Sequence, residues 1–413
     1  MPLFILIILG LFILGDLLWV SYTVLKLREP GVRNTRWMWV SLAVMGVFLL
    51  ITVGTLTASI VGRGTGDSYP FPKPMLMSVF LWHLFILPLT LILATGGAVL
   101  AAVTRVASRF RSPSSAPPPA NPSGTLSRRQ LLATAAAVVP PAAVALATGV
   151  AHRRIDDFRV REFTVPVDDL PRDLDGMTIA HLSDTHLGEF TTGDIYRELI
   201  DATNALRADV IVHTGDVINV DANDITEAMA GLARLEARLG VFVCEGNHDL
   251  IQSPRRFWDA IRATPGVRFL RNDTATVLRN GAPVQLLGLR WGTRDGARIG
   301  RRSTSAADAA VKSACDDLAD SVEKDAFPLL LAHHPHAFDF APWAKLTLSG
   351  HTHGGQLNIT KHLSPGYLMY RYWSGMYHSQ DRRSLVVSNG AGNWFPLRIN
   401  APAEIAKLTL RRA

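Results

Sequence analysis

Five short clusters of Asp, Asn and His each close an apolar run: Asp184-Thr185-His186, Gly215-Asp216, Gly246-Asn247-His248-Asp249, His333-His334-Pro335 and Gly350-His351-Thr352-His353. The runs before them read as buried strands, as Val241-Phe242-Val243-Cys244 does ahead of the third cluster. Polar side chains at strand ends sit on the loops where layered α/β proteins build their sites. Strand-like runs cover 177–182, 209–213, 240–244, 267–270, 284–289, 328–332, 345–349, 384–388 and 404–410, and helical patterns fill 193–207, 224–238, 254–263 and 306–322. Strand-helix alternation in the first half predicts α/β layering, and the strand-rich second half predicts a second sheet packed on the first. No internal repeat is visible.

The remainder of the chain has a different character. Of 413 residues 48% are hydrophobic, and the long apolar stretches lie near the N-terminus. Residues 3–25, 38–61 and 75–104 are each long enough to cross a hydrocarbon core, which takes about 20 helical residues. Residues 1–105 are therefore expected to form a three-helix transmembrane region. The first stretch lacks a basic n-region and an obvious small-residue cleavage site, so it reads as a retained helix rather than a signal peptide. A Pro/Ser-rich linker spans 106–130. A fourth apolar segment, 131–151, is Ala-rich and expected to be broken at Pro140-Pro141; a soluble domain then fills 152–413.

Basic residues orient the bundle. Lys26, Arg28, Arg33 and Arg36 mark the first loop, and Arg105, Arg109, Arg111, Arg128 and Arg129 mark the third; the second carries only Arg63 and Lys73, with Asp67. The first and third loops should be cytoplasmic, which puts the N-terminus outside and places 152–413 outside as well if the fourth segment spans. Ser127-Arg128-Arg129-Gln130-Leu131-Leu132 resembles a twin-arginine export signal, with Leu131 where Phe is common and Ala133 where Lys is common. It fits an ordinary basic flank equally well, and Arg153, Arg154, Arg159 and Arg161 beyond it oppose export. The expectation is a multi-pass protein of the cell membrane with an extracytoplasmic domain.

Of the net charge of +7, residues 1–151 supply 11 Lys and Arg against 3 acids, and 152–413 supply 31 against 32. The soluble domain thus lacks the polybasic signature of nucleic-acid binding. Two cysteines are too few for a disulfide framework, and Cys244 reads as a buried free thiol.

The donor types in the five clusters are carboxylate, amide and imidazole, without thiolate. Such mixed O/N ligands suit Mn, Fe, Zn or similar ions and not a structural zinc site. In Asp184-x-His186 the side chains would share one side of an extended segment. The glycine of Gly215-Asp216 would let the backbone turn close to an ion, and a carboxylate there can bridge two cations.

Taken together, Asp184-x-His186, Gly215-Asp216, Gly246-Asn247-His248-Asp249, His333-x-Pro335 and Gly350-His351-x-His353 resemble the calcineurin-like metallophosphoesterase superfamily. Leu182-Ser183-Asp184-Thr185-His186-Leu187-Gly188, Ser349 to Gln356 and Ser388-Asn389-Gly390-Ala391-Gly392 are similar to its membrane-associated bacterial phosphodiesterase branch. The likeness covers about 158–410. It implies a two-sheet sandwich flanked by helices and two divalent metal ions, with Asp184, His186 and His353 on one, Asn247, His333 and His351 on the other, and Asp216 bridging. His333 is favoured over His334 because the family's ligand stands two before the proline. His248 would act at the leaving-group oxygen, with Asp249 as its orienting partner. Cations roughly 3.5–4 Å apart would acidify a bridging water to hydroxide.

The expected function is a membrane-anchored hydrolase of phosphodiester or pyrophosphate bonds on a lipid-linked or envelope substrate, with the bilayer as partner. The alternatives are a broad phosphodiesterase on soluble substrates and a catalytically silent membrane sensor or scaffold; the complete ligand set and His248 oppose the last. Weaker signals are Arg290, Arg294, Arg298, Arg301 and Arg302, read as a solvated loop or a headgroup contact, and Trp394 and Phe395, read as a cleft lining or as core. Asp16 and His83 stand inside predicted spans, where polar groups usually face a partner.

Overall fold

The structure, a computed structural model, describes residues 3–29, 32, 35–65, 72–108, 128–292, 305–356, 358, 360 and 364–413. Most of the Pro/Ser-rich stretch lies outside these residues, as do Arg33, Asp67, Arg109, Arg111, Arg294, Arg298, Arg301 and Arg302. The chain divides into two compact units, Met1–Arg153 and Arg154–Ala413.

The first unit holds α1 (Leu3–Leu27), α2 (Arg36–Thr65), α3 (Lys73–Leu81) and α4 (Leu87–Ser108), followed by α5 (Arg128–Arg154), whose last residue opens the second unit. Among the described residues, four stretches are long and apolar enough to cross a membrane: Ile7–Leu27, Arg36–Thr57, Lys73–Ala107 and Arg128–Arg154. Two details depart from the sequence expectation. The third stretch is not a uniform helix, because α3 and α4 join through a π turn at Trp82–Ile86. Pro88 explains it: its ring has no N–H for the Leu84 carbonyl and crowds the preceding turn, which widens. The expected break at Pro140-Pro141 is absent, and α5 runs through both. Pro140 has no N–H to give to the carbonyl four residues back, that of Ala136, and the Trp19 indole Nε1–H donates to it instead, at 3.0 Å. Supplying the lost bond from a neighbouring helix is what lets proline persist in an apolar helix. Asp16 and His83 do meet: His83 Nε2 lies 3.2 Å from Asp16 Oδ2, and Trp82 Nε1–H donates to Asp16 Oδ1 at 2.7 Å.

The second unit contains two six-stranded sheets. The first is ordered β1 (Phe158–Val167), β12 (Ala403–Arg412), β2 (Thr178–Leu182), β3 (Val210–His213), β4 (Val241–Val243), β5 (Val267–Phe269). The second is ordered β10 (Gly375–His378), β11 (Ser384–Val387), β9 (Leu346–Ser349), β8 (Phe327–Leu331), β7 (Ala282–Gly288), β6 (Asp273–Arg279). Strands β2 to β5 are mutually parallel, as are β11, β9, β8 and β7. Antiparallel partners complete each sheet: β12 on β2, β10 on β11 and β6 on β7. This is the expected pair of mixed sheets flanked by helices.

The apolar runs are continuous because both faces of each central strand are buried. Val210 and Val212 of β3 and Leu329 and Leu331 of β8 point into the space between the sheets. Ile211 instead packs under the helices Gly193–Ala205 and Ile225–Leu232, through Leu199 and Leu232. Leu330 packs on the far side against Leu318 and Cys315 of the helix Ser305–Ala319. The order is helix, sheet, sheet, helix. Both cysteines are buried free thiols.

Candidate metal centre

The five ligand clusters leave the C-terminal ends of β2, β3, β4, β8 and β9, and a sixth loop, Ser388–Gly392, leaves β11. Parallel strands of both sheets thus deliver their loops to one place. The backbone there is unusual. Asp184, His186, Asp216, His351 and His353 all have φ between 44° and 71°. A side chain in this left-handed region costs about 1–2 kcal/mol per residue, and such strain concentrates at functional sites. Asp184-x-His186 is therefore not the extended segment expected from the sequence; both residues turn, and their side chains still converge. Gly215 (φ 91°) and Gly350 permit the close approach, since a Cβ on Gly350 would overlap Ser183 and Asp184.

The side chains form two groups with a shared member. In the first, His353 Nε2 lies 3.2 Å from Asp184 Oδ1 and 3.0 Å from His186 Nε2. In the second, His333 Nε2 lies 3.1 Å from Asn247 Oδ1 and 3.2 Å from His351 Nδ1. Asp216 Oδ2 stands between them, 3.5 Å from His186 Nε2 and 3.1 Å from His333 Nε2. All seven residues singled out as ligands are brought together. His334 is not among them; its ring packs on His351 and His336.

The charges bear on what the site could hold. Burial opposes ionisation of Asp184 and Asp216, but the histidines around them, His353 and His333 at the first and His333 and His248 at the second, keep both well below the usual carboxylate range. Burial alone would lower His333, yet Asp216 and Asp184 lift it to about 9. Burial, with His333 beside it, holds His351 down at about 3 and burial also lowers His186 and His353. Two ionised carboxylates therefore face imidazoles that are mostly neutral. His186 Nε2 and His353 Nε2 confront each other with room for one proton at most, and His186 Nδ1 is buried without a partner. A donor set of this kind, rich in unshared lone pairs and net negative, fits divalent cations. Groups able to hold a metal are Asp184, His186 and His353; Asp216, His333 and His351; and His186, Asp216 and His248.

The surroundings correct one expectation. Asp249 does not touch the His248 ring. Its carboxylate accepts backbone N–H bonds from Asp216, Val217, Ile218 and Gly246 at 2.8–3.2 Å, which ties the loop after β3 to the loop after β4. Burial and the nearby Asp216 push this carboxyl up, and the N–H donors of Gly246 and Ile218 pull against that shift and favour the charged form. His248 is oriented instead by the Asn219 carbonyl, to which Nδ1–H donates at 2.6 Å. This bond sets the tautomer and leaves Nε2 for the site. The His248 backbone N–H donates to Asp216 Oδ1 at 2.7 Å, so the other oxygen of Asp216 is the one that faces both groups.

Several supporting residues had no place in the sequence reading. Ser183 Oγ–H donates to Asp184 Oδ2 and accepts from Thr214, which meets His181 Nε2 at 2.9 Å. The Arg398 guanidinium reaches five oxygens, those of Asn393 Oδ1 and the carbonyls of Asn389, Gly390, Gly392 and Ala401, and so gathers the loop beneath His353. Glu245 accepts from Trp258 Nε1, Arg271 and the Trp291 amide, which sets the Trp291 ring 5.4 Å from His333 and 5.1 Å from His351. Trp394 stands across the site, 6.2 Å from His248, while Phe395 is buried. Arg290 is neither solvated nor free for a headgroup: it is buried and paired with Asp317 at 2.9 Å.

Residues 177–355 match the family described as calcineurin-like phosphoesterase. A "Transmembrane protein with metallophosphoesterase domain" from Danio rerio is 29% identical over 260 residues, 62% of this chain, and the match spans only 58% of that protein's length. An uncharacterized metallophosphoesterase of Bacillus subtilis, YkuE, is 28% identical over 300 residues, covering 69% of this chain and 98% of its own. Among solved structures, a dimetal phosphatase from Danio rerio aligns with 52% of this chain and 88% of its own at 11% identity, with a TM-score of 0.33.

Proposed function

The chain carries a calcineurin-like phosphoesterase domain, and on that premise we propose that it is a membrane-anchored hydrolase that cleaves phosphodiester or pyrophosphate bonds with two divalent cations. The observation that carries this reading is the position of Asp216 Oδ2, within 3.5 Å of a ring nitrogen from each of two ligand groups. A residue that only filled space would not present one charged oxygen to both.

Asp184, His186 and His353 would hold one cation, and Asn247, His333 and His351 the other, with Asp216 common to both. The cations, Mn, Fe or Zn by ligand type, would supply Lewis-acid charge that lowers the pKa of an attacking water and offsets charge on the phosphoryl oxygens. The protein's own groups supply position and protons. His248 presents Nε2 beside His186, at an edge-to-face ring distance of 4.5 Å; with Nδ1–H given to Asn219, Nε2 is the free lone pair there, and it would take up a proton beside the bound phosphoryl group and pass it to the leaving-group oxygen. Ser183 and the His351 amide N–H fix Asp184 from behind. Trp291 and Trp394 wall opposite sides and limit access of water.

A lipid-linked or envelope substrate is favoured by the four apolar helices, which would confine the domain to a membrane surface. The expected arrangement is multi-pass with the catalytic domain outside the cytoplasm. Proteolysis of intact spheroplasts tests that side, and a domain protected until lysis refutes it. The activity itself is tested by a screen of the purified protein over several divalent metals against lipid pyrophosphates, UDP-linked lipids and soluble diesters. Metal-dependent turnover is expected, fastest on a lipid substrate; no turnover with any metal would overturn the reading.

A further inference from the structure

Eight large apolar side chains are exposed among the described residues of Arg154–Ala413. Six of them, Val220, Tyr367, Leu368, Met369, Trp394 and Ile399, stand on segments that border the metal centre. Val220 follows Asn219, whose carbonyl orients His248. The short helix Pro365–Met369 leads into Tyr370, whose ring lies 5.9 Å from His351. Trp394 lies 6.2 and 6.3 Å from the rings of His248 and His353. The Ile399 amide bonds to the Gln356 carbonyl, three residues after His353, at 2.7 Å. Leu368 and Met369 are 76% and 64% exposed. An apolar collar around a polar site is not what a water-facing surface selects.

A second observation says what covers it. Ile155 is the first residue after α5, a helix long and apolar enough to span a membrane, and the second of this unit. Ile155 is buried, and its carbonyl accepts from Asn393 Nδ2 at 2.7 Å. Asn393 is the residue before Trp394. Within this unit, the residue that follows α5 in the chain is thus bonded to the loop that carries Trp394.

We propose that this collar is a membrane-docking rim: Tyr367 and Trp394 lie at headgroup depth, Leu368 and Met369 dip into the acyl boundary, and the metal centre opens onto lipid phosphoesters at the bilayer surface. Amphipathic rings favour that depth, and buried apolar area supplies the attachment. The substrate part of the proposal rests on the hydrolase reading above; the docking part does not.

The test uses the full chain in vesicles of phosphatidylethanolamine and phosphatidylglycerol. A polarity-sensitive fluorophore is placed through Leu368→Cys, the native thiols being buried, and through Leu278→Cys on the edge strand β6 as reference. Spin-labelled lipid should quench the Leu368 probe several-fold more than the Leu278 probe; equal quenching overturns the rim. In the double variant Leu368→Asp/Met369→Asp, the ratio of turnover on a vesicle-embedded diester to that on a water-soluble diester should fall about tenfold. An unchanged ratio overturns the link to substrate. If the unaltered protein hydrolyses neither diester, the hydrolase reading fails, and the quenching still decides the rim.

Discussion

Replacing Asp249 by Asn separates a structural clamp from a catalytic partner. One carboxylate oxygen receives the amides of Val217 and Ile218, and the other receives those of Asp216 and Gly246. Asparagine keeps one oxygen and turns an NH2 toward the remaining two N–H groups, which are then buried without acceptors. An orphaned buried donor costs about 1–3 kcal/mol, so the pair costs about 3 kcal/mol or more. In a domain of this size each kcal/mol lowers the unfolding temperature by about 2–4 °C, which predicts a drop of about 10 °C. In either orientation of the amide the loosened N–H groups flank or include Asp216, whose left-handed backbone the clamp holds, so bound metal should fall as well. Tryptophan fluorescence on heating and elemental analysis of the purified full chain read both quantities. Had Asp249 served His248, as its position beside it in the sequence suggests, the variant would unfold at the unaltered temperature with full metal and lose only kcat. That result would refute the clamp.

Other changes probe different links. Asp216→Asn removes the shared charged oxygen and should reduce hydrolysis of a chromogenic phosphodiester to background; near-normal turnover in a folded variant contradicts the bridging assignment. His248→Ala should lower kcat by about 10²–10⁴ with metal content intact, whereas loss of metal would make His248 a ligand. Asp224 is pushed up to about 6 by burial, Asp221 and Glu227. A raised carboxyl contributes stability that is present below about pH 4 and lost as pH rises through 6. Because the group is half exposed, Asp224→Asn should stabilise by only about 1 kcal/mol at pH 7 after solvent screening, with no gain at pH 4; a gain that is the same at both pH values rejects the assignment. Removing metal with a chelator should lower the unfolding temperature, since a ligand at a thousand times its Kd adds about 4 kcal/mol. Identical melting with and without chelator would mean that the centre holds no cation.

Nine strands were legible from apolar runs, and the three that were not share a cause. β1, β6 and β10 are edge strands; β5 is an edge strand too, but its buried Phe269 and the following Leu270 keep its run apolar. Each of the other three has one neighbour and a partly exposed face, so the apolar run that marks a doubly covered strand never forms: β6 reads Asp273-Thr274-Ala275-Thr276-Val277-Leu278-Arg279. Pro166 in β1 looks like a strand breaker in the sequence, yet an edge strand tolerates it, since its missing N–H need not face a partner. In the membrane helices, the same residue type misled in the other direction. Pro140-Pro141 reads as an interruption only while the chain is considered alone, because the donor that completes the helix is Trp19, 117 positions away from Ala136.

The site follows the same division between local and distant information. The candidate ligands were visible because each is a side chain inside a short cluster, and spacing within the cluster is a local property. Asn219 and Arg398 were invisible because their contributions are a backbone carbonyl and a reach across five oxygens of a loop, neither of which leaves a mark in neighbouring residue types. The backbone strain was invisible for the same reason: nothing in Asp184, His186, Asp216, His351 or His353 as residue types announces a positive φ. That strain is nevertheless the strongest argument that the cluster is not merely a polar core. Five left-handed residues oppose folding, and burial of the Asp184 and Asp216 carboxylates adds a desolvation cost that the surrounding histidines must offset. A domain with a net stability of about 5–15 kcal/mol does not accumulate such terms in one place unless something offsets them. Aspartates that needed only each other's histidines could have been held by relaxed backbone, with glycines absorbing the turns as Gly215 does. The strained arrangement instead gathers side chains able to hold a metal ion around a single oxygen of Asp216, which makes sense if attraction to a cation outweighs the strain.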